Sequence, residues 1–310
     1  MATPTILAVF GPTGAGKTAL AIALAQRLRS TGDRPVAVSA DALQVYAGLE
    51  TLTGVATPAE RARLEHRLVS FVPVDARFSV AEHARLAHAE IDGLLHEGRT
   101  PIVVGGTGLY LRAALAELDL RPAAPDEIRA AWMDALARDG APALHAELRR
   151  RAPWAAAGVD PNDAHRVVRL LELSDLGELE PPDGTQRPNQ LWTEHTRHPT
   201  RLIGVTMDRE ALYARIEARV DAMVAAGAIE EVRAANAAGA SETARKALGF
   251  DDLLAGDIDA MKRRTRNYAK RQLTWMRKLP GVEMVDLTRT TPEDAAAGLL
   301  GGRDPGAARP

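Results

Sequence analysis

Three short runs in the first third of the chain are apolar without alternation: residues 5–10 (Thr5-Ile6-Leu7-Ala8-Val9-Phe10), 35–39 and 101–104. Each is bounded by Pro, Gly or a polar residue, the pattern of strands buried on both faces, as in a parallel sheet. Between them the period becomes helical. Residues 19–28 read as a helix, and residues 80–97 place Val80, Ala84, Ala87, Ile91 and Leu94 on one face before Gly98 stops it. Residues 67–72 are a weaker strand candidate. Strands alternating with helices predict a three-layer α/β fold with right-handed crossovers.

The middle of the chain differs. Residues 122–125 form a Pro-rich hinge. Residues 126–180 are helical and strand-poor, broken at Pro161-Asn162-Asp163, and residues 180–200 are a polar, Pro-rich loop. Strand character returns at 202–207. Asp208 is placed to cap a long amphipathic helix carrying Leu212, Ile216, Val220, Met223 and Val224, and Gly239 ends the helical region. A last helix is predicted over 261–279. The domain plan is a core in two parts, 1–120 and 201–297, a helical insertion at 121–200, and a disordered Gly/Pro-rich tail at 298–310.

Composition narrows the chemistry. The 310 residues carry 39 Lys and Arg against 41 Asp and Glu, a net charge of −2, so any nucleic-acid surface must be local. With Cys at 0, disulfides, Fe–S clusters and thiol catalysis are excluded. No apolar run is long enough to cross a membrane, and the first ten residues lack the basic start of a signal peptide. A cytoplasmic protein with no membrane partner is expected. A monomer is expected too, because no exposed apolar heptad is evident.

The strongest chemical signal is Gly11-Pro12-Thr13-Gly14-Ala15-Gly16-Lys17-Thr18, a complete Walker A pattern between a strand and a helix. Backbone N–H groups of Gly11, Thr13, Gly14, Ala15 and Gly16 would cradle phosphates at a helix N-terminus. Lys17 would meet terminal phosphate oxygens, and Thr18 would ligate Mg²⁺. The loop specifies phosphate, not which phosphate compound. The strand at 101–104 runs into Gly105-Gly106-Thr107 without the acid of a motor ATPase, and no guanine-reading Asn-Lys-x-Asp occurs. A phosphate-handling transferase or small-molecule kinase fits better than a GTPase or motor.

Five motifs follow one another: Gly11 to Thr18, Ser39-Ala40-Asp41-Ala42-Leu43-Gln44-Val45-Tyr46, Gly105-Gly106-Thr107-Gly108-Leu109-Tyr110, Pro161-Asn162-Asp163, and Thr265-Arg266-Asn267-Tyr268-Ala269-Lys270-Arg271-Gln272-Leu273-Thr274-Trp275. In this order, over residues 5–279, the chain resembles the tRNA dimethylallyltransferase (tRNA isopentenyltransferase) family. The resemblance implies a P-loop NTPase-like parallel sheet with a helical insertion that holds the anticodon stem-loop. It also implies Mg²⁺, and transfer of a dimethylallyl group from dimethylallyl diphosphate to N6 of an adenosine beside the anticodon (position 37). Close alternatives are prenylation of free adenylate and, in a different class, a P-loop small-molecule kinase.

The resemblance assigns roles residue by residue. Asp41, with Lys17 and Thr18, falls in the catalytic set. An adenine amine loses a proton as its new C–N bond forms, and Asp41 is either the acceptor or a turn residue. Ala42, Leu43 and Gln44 fall in the tRNA-contacting segment, where Gln44 would bond an adenine edge or remain an ordinary surface residue. Thr107 matches a residue near the flipped adenosine, or is a turn hydroxyl. His165, Arg166, Arg169 and Arg129 match tRNA contacts in the insertion, with helix-surface ion pairs as the alternative for the arginines.

Spacing alone gives residues 261–278 eight cations and no acid, with Arg263, Arg266, Lys270, Thr274 and Arg277 on one helical face and Tyr268, Trp275 and Leu279 on an apolar one: a helix docked by its aromatics that offers cations such as Arg266 and Lys270 to tRNA phosphates, or else a solvated basic face. The chain also departs from the family. Leu52-Thr53-Gly54-Val55 replaces a Gly-Thr-Ala-Lys, so that lysine is absent. Ala42 replaces Ser, Ser70 stands where an acid is common, and Phe250 replaces Tyr. No C-terminal zinc finger exists, since there is no Cys.

Overall fold

A computed structural model describes residues 6–121, 123–181 and 190–301. Thr5, Pro122 of the expected hinge, residues 182–189 of the expected 180–200 loop and residues 302–310 of the expected tail lie outside the described residues. Six strands, β1 (Ile6–Phe10), β2 (Pro35–Ser39), β3 (His66–Arg67), β4 (Thr100–Gly105), β5 (Thr200–Thr206) and β6 (Val282–Asp286), form one parallel sheet in the order β3-β2-β4-β1-β5-β6. Helices α1 (Lys17–Ser30), α2 (Glu50–Thr53), α3 (Pro58–Arg63), α4 (Val80–His96) and α5 (Gly108–Leu115) belong to the first half. Helices α6 (Asp126–Asp139), α7 (Ala141–Arg151), α8 (Pro153–Ala156) and α9 (Ala164–Asp175) fill the middle. Helices α10 (Arg209–Ala225), α11 (Ala228–Ala237), α12 (Phe250–Leu254), α13 (Ile258–Met276) and α14 (Pro292–Leu300) follow.

The continuous apolar runs become strands because both faces of the sheet are covered. Leu7 and Val9 of β1 pack with α1, α10 and α14, while Ile6, Ala8 and Phe10 pack with α4 and α5. The two-residue alternation of a strand thus feeds two separate cores. Helix α4 starts at a capping box, Ser79 with Glu82.

The chain divides into two compact units, residues 1–118 with 189–310, and residues 119–188. The second unit is helical, with Leu144, Leu148, Val167, Val168 and Leu171 at its core. It is shorter than the expected 121–200, because the residues after 189 fold with the first unit. There Trp192 stacks on Trp275 at 4.5 Å, and Arg197 donates to Asp92 at 2.9 Å.

Other expectations need correction. The strand predicted at 67–72 stops at Arg67, because Leu68 (φ 59°) and Ser70 (φ 52°) are left-handed and turn the backbone onto the 44–45 segment. Asp208 precedes α10, but its side chain makes no cap bond. β6 and α14 were not foreseen, and α14 carries helix through Leu300, past the expected start of the tail. The buried face of α13 is Met261, Thr265, Ala269, Gln272 and Met276, while Tyr268 and Trp275 are only half-buried. Among the described residues no helix is long and apolar enough to cross a membrane.

Candidate active site

The carboxyl ends of β1, β2 and β4 lie side by side, and each releases one of the loops singled out in the sequence. That edge is where ligands meet an open parallel sheet. After β1 the chain turns through residues 11–16 and enters α1 at Lys17 from Gly16, which is left-handed at φ 99° and has no capping side chain. The first-turn amides of α1 therefore have no side-chain cap. Lys17 Nζ folds back and donates to the carbonyls of Gly11 (2.9 Å) and Pro12 (3.0 Å). Burial pushes the Lys17 ammonium down to about 8; nearby Asp41 opposes this shift and Arg219 adds to it. Thr18, half-buried, is the second residue of the helix.

After β2, Asp41 is half-buried and its Oδ1 accepts from the Leu43 N–H at 3.0 Å, an Asx-type turn. The same carboxylate acts electrostatically on Lys17, Arg219, His83, Tyr110 and Tyr268. Asp41 thus shapes the turn, and its charge acts on the groups around it. Burial and the Asp41 charge raise the Tyr110 phenol, and burial lowers buried His83, whose Nε2 lies 3.0 Å from the Ser39 carbonyl.

The glycines after β4 are required by close approach. A Cβ at Gly105 would collide with Ala40, one at Gly106 with the Gln272 side chain, and one at Gly108 with the Trp275 ring. Gln272, buried on α13, joins two loops: Thr13 N–H donates to its Oε1 at 2.9 Å, and its Nε2 donates to the Gly106 carbonyl at 2.8 Å. Thr107 lies in this junction, its Oγ1 3.1 Å from the Tyr268 hydroxyl. The structure therefore gathers Lys17, Thr18, Asp41 and Thr107 on contiguous loops.

Gln44 is placed differently from an edge-reading amide. Its Nε2 donates to the carbonyls of Thr53 (3.4 Å) and Gly54 (3.2 Å), and its Oε1 accepts from Ser39 Oγ at 3.2 Å. It ties the Asp41 segment to the turn after α2. Ala42 and Leu43 sit half-buried in the same turn. The departure at Leu52-Thr53-Gly54-Val55 also finds a physical setting here. A Cβ at residue 54 would occupy the space of the Arg219 guanidinium, whose Nη2 donates to the Gly54 carbonyl at 3.3 Å. Glycine at 54 admits a cation from α10 in the segment that lacks the family's lysine.

Sequence reading missed Arg219, Gln272 and Tyr268 as site residues. Gln272 and Tyr268 lay inside a quoted motif, whereas Arg219 had only the weak signal of a charge beside Val220 on a buried helix face.

The basic helix divides in two. Lys262 pairs with Asp221 (2.6 Å), Arg263 with Asp257 (3.7 Å), Arg264 with Asp252 (3.1 Å), and Arg266 with Glu217. Arg266 is therefore half of an ion pair. Further along, exposed Lys270 reaches Asn267 at 3.5 Å, Arg271 lies over the Tyr268 ring and Lys278 over Trp192. Among the described residues the cations of α13 without an acidic partner, Lys270 and Arg271, are on the part of the helix that carries Tyr268 and Gln272.

In the helical unit, His165 and Arg166 are exposed on the first turns of α9, with Arg166 3.5 Å from Asp163. Arg129 and Arg169 are bound to the two oxygens of a single buried carboxylate, Glu172, at 3.2 and 3.1 Å. These two arginines form the ion pairs that were the alternative to direct tRNA contact.

Among the described residues no group of three or more His, Asp or Glu could hold a metal. The Thr18 hydroxyl and the Asp41 carboxylate are a sparse donor set for Mg²⁺. It suits an ion that keeps its waters and takes its remaining oxygens from a bound diphosphate.

Comparison with known proteins gives a consistent answer. The IPP transferase family model matches residues 44–279. The tRNA dimethylallyltransferase of Anaeromyxobacter dehalogenans is 42% identical over 291 residues, covering 89% of this chain and 93% of that protein. That of Thermobifida fusca is 38% identical, covering 96% and 94%. Among solved structures, a full-length tRNA isopentenylpyrophosphate transferase from Bacillus halodurans is similar with TM-score 0.68 and 31% identity, covering 96% of each chain. A eukaryotic dimethylallyltransferase acting on tRNA shares the fold with TM-score 0.77 at 23% identity, over 96% of this chain and 78% of that one.

Proposed function

The chain belongs to the tRNA dimethylallyltransferase family, and from that premise we propose that it moves a dimethylallyl group from dimethylallyl diphosphate to N6 of the adenosine next to the anticodon. The observation that carries the reading is the Gln272 junction, which holds the P-loop and the Thr107 loop together beside Asp41.

The P-loop amides and Lys17 receive the diphosphate, and Arg219 adds a second cation to the same pocket. The charge on the departing oxygens grows as the allylic C–O bond breaks, so donors fixed in advance stabilise the transition state more than the ground state. Lys17 exchanges its two backbone carbonyls for phosphate oxygens, which restores full protonation to an ammonium that burial has weakened. Mg²⁺, held by Thr18 and the diphosphate itself, would supply further neutralisation of the leaving group.

The acceptor base must leave its stack to bring N6 to the allylic carbon. Thr107 and Asp41 lie where that amine arrives. Asp41 accepts the proton that the nitrogen loses as the C–N bond forms, when even a weak carboxylate base suffices. The exposed cations Lys270 and Arg271 of α13 and Arg166 of the helical unit meet backbone phosphates, the His165 imidazole contacts the same tRNA, and Arg266, Arg169 and Arg129 contribute through their ion pairs. The enzyme works in the cytoplasm as a monomer.

The test is incubation with labelled dimethylallyl diphosphate and either unmodified tRNA or AMP. Label is expected in tRNA, and chelation of Mg²⁺ is expected to abolish transfer while tRNA is still bound. Label in AMP alone would sink the proposal.

A further inference from the structure

Thr107 stands at the N-cap of α5, where a threonine hydroxyl ordinarily accepts a backbone N–H from the first turn. Here it makes no cap bond. Its Oγ1 lies instead 3.1 Å from the hydroxyl of Tyr268. Tyr268 is one turn before Gln272 on α13, and Gln272 is bonded to both the P-loop and the Gly106 carbonyl. The phenol is therefore presented to Thr107 from a helix anchored to the site on two sides. The Arg271 guanidinium lies 5.4 Å from the Tyr268 ring centroid and covers it. Burial, with the Asp41 charge, pushes the phenol up to about 12 against the opposing Thr107 and Gln272 hydrogen bonds, so it keeps its proton throughout the working range.

We propose that Tyr268 is a positioning residue for the transfer step: its hydroxyl donates to one lone pair of Thr107 Oγ1, holds that oxygen away from the helix terminus and leaves its other lone pair for the incoming amine. Resting on the function proposed above, this gives the two N6 hydrogens separate acceptors. One meets the remaining lone pair of Thr107 Oγ1, and the other meets Asp41, which takes it as the C–N bond forms. Tyr268 itself gains and loses no proton. Its role is to fix the plane of the amine, and with it the direction of the nitrogen lone pair toward the allylic carbon.

Tyr268→Phe removes one oxygen and keeps the ring beneath Arg271. With tRNA and dimethylallyl diphosphate saturating, its single-turnover rate is expected to fall about 10–100-fold, the scale of a modest misalignment. KM for both substrates should stay within about two-fold of wild type. Thr107→Val removes the N6 acceptor as well and is expected to lose at least as much, and the double variant no more than Thr107→Val alone, because the Tyr268 hydroxyl acts only through Thr107. A wild-type rate in Tyr268→Phe, or losses that multiply in the double variant, would overturn the proposal. If thermal melting shows Tyr268→Phe to be unfolded, Thr107→Val tests the bond from its other end. There, an unchanged rate overturns the proposal. A wild-type chain that puts no label into tRNA defeats the underlying function instead, so the two failures are distinguishable.

Discussion

Lys17 and Arg169 are both cations assigned to phosphate, and their surroundings differ. Lys17 donates to two main-chain carbonyls, and burial holds its ammonium down at about 8. Arg169 is bound to Glu172, a carboxylate only 1% exposed that also holds Arg129. In the first case desolvation leaves a cation that an incoming anion improves. In the second, a buried acid has two guanidiniums to satisfy it, and much of their charge is already answered. The helical unit as a whole follows this pattern, since residues 119–188 carry 13 Asp and Glu against 9 Arg and no Lys. Substitutions in the loops at the sheet edge should therefore act on chemistry, and those in the helical unit on stability and salt-dependent affinity.

The largest expected effect is at Asp41. Asp41→Asn keeps the acceptor for the Leu43 amide but removes the charge. Single-turnover rates at saturation should fall about 10²–10⁴-fold with near-normal binding of both substrates, the range for loss of a general base. A rate within a few-fold of wild type would make Asp41 a turn residue and nothing more.

Lys17→Ala should lower the same rate by about 10²–10³-fold, comparable to losing one oxyanion donor. A pH profile sharpens this. The Lys17 pKa is lowered, so the cation is lost as pH rises through about 8 in the free enzyme. Accordingly kcat/KM for dimethylallyl diphosphate should decline above that pH, while kcat, reporting the complex, declines later. Coincident profiles would show that bound diphosphate does not engage Lys17.

Gly106→Ala places a methyl against the Gln272 amide. Activity is expected to fall by about tenfold or more, because displacing Gln272 frees the P-loop from the Thr107 loop. Gly93→Ala is the control: it lies in α4 with open space around it and should leave activity unchanged while stabilising by up to about 1 kcal/mol. Equal activity in the two variants would deny the Gln272 junction its role.

In the helical unit, Glu172→Ala leaves two guanidiniums without their buried partner. Both are about 30% exposed, at 29% and 32%, so the cost is discounted to about 1–3 kcal/mol, read by denaturant unfolding. An unchanged midpoint would show that the triad contributes nothing.

The smallest effects belong to single exposed cations. Neutralising Lys270 or Arg271 should each lower the slope of log K against log salt for tRNA binding by roughly 0.7–0.9. Neutralising the paired Lys262 or Arg264 should leave it nearly unchanged. Equal slopes for both groups would erase the division of α13 into compensated and uncompensated halves.

What the amino-acid order determined by itself was local: strands read from unbroken apolar runs, the Walker A loop between a strand and a helix, the helical middle, and the Asp41 and Thr107 loops. Each is set by a few consecutive residues with one period or one turn chemistry. Tertiary structure decided the partners. Gln272 reaches Thr13 across 259 positions, and Tyr268 reaches Thr107 across 161. Arg219 enters the site because residue 54 has no side chain, Gln44 is drawn to the Gly54 turn, and Glu172 claims Arg129 and Arg169. β6 escaped notice because an edge strand with two exposed central residues lacks the apolar run of its neighbours and is held by pairing with β5. A side chain's type is written in the sequence, but which donor answers it depends on which distant backbone the folded sheet brings within about 3 Å.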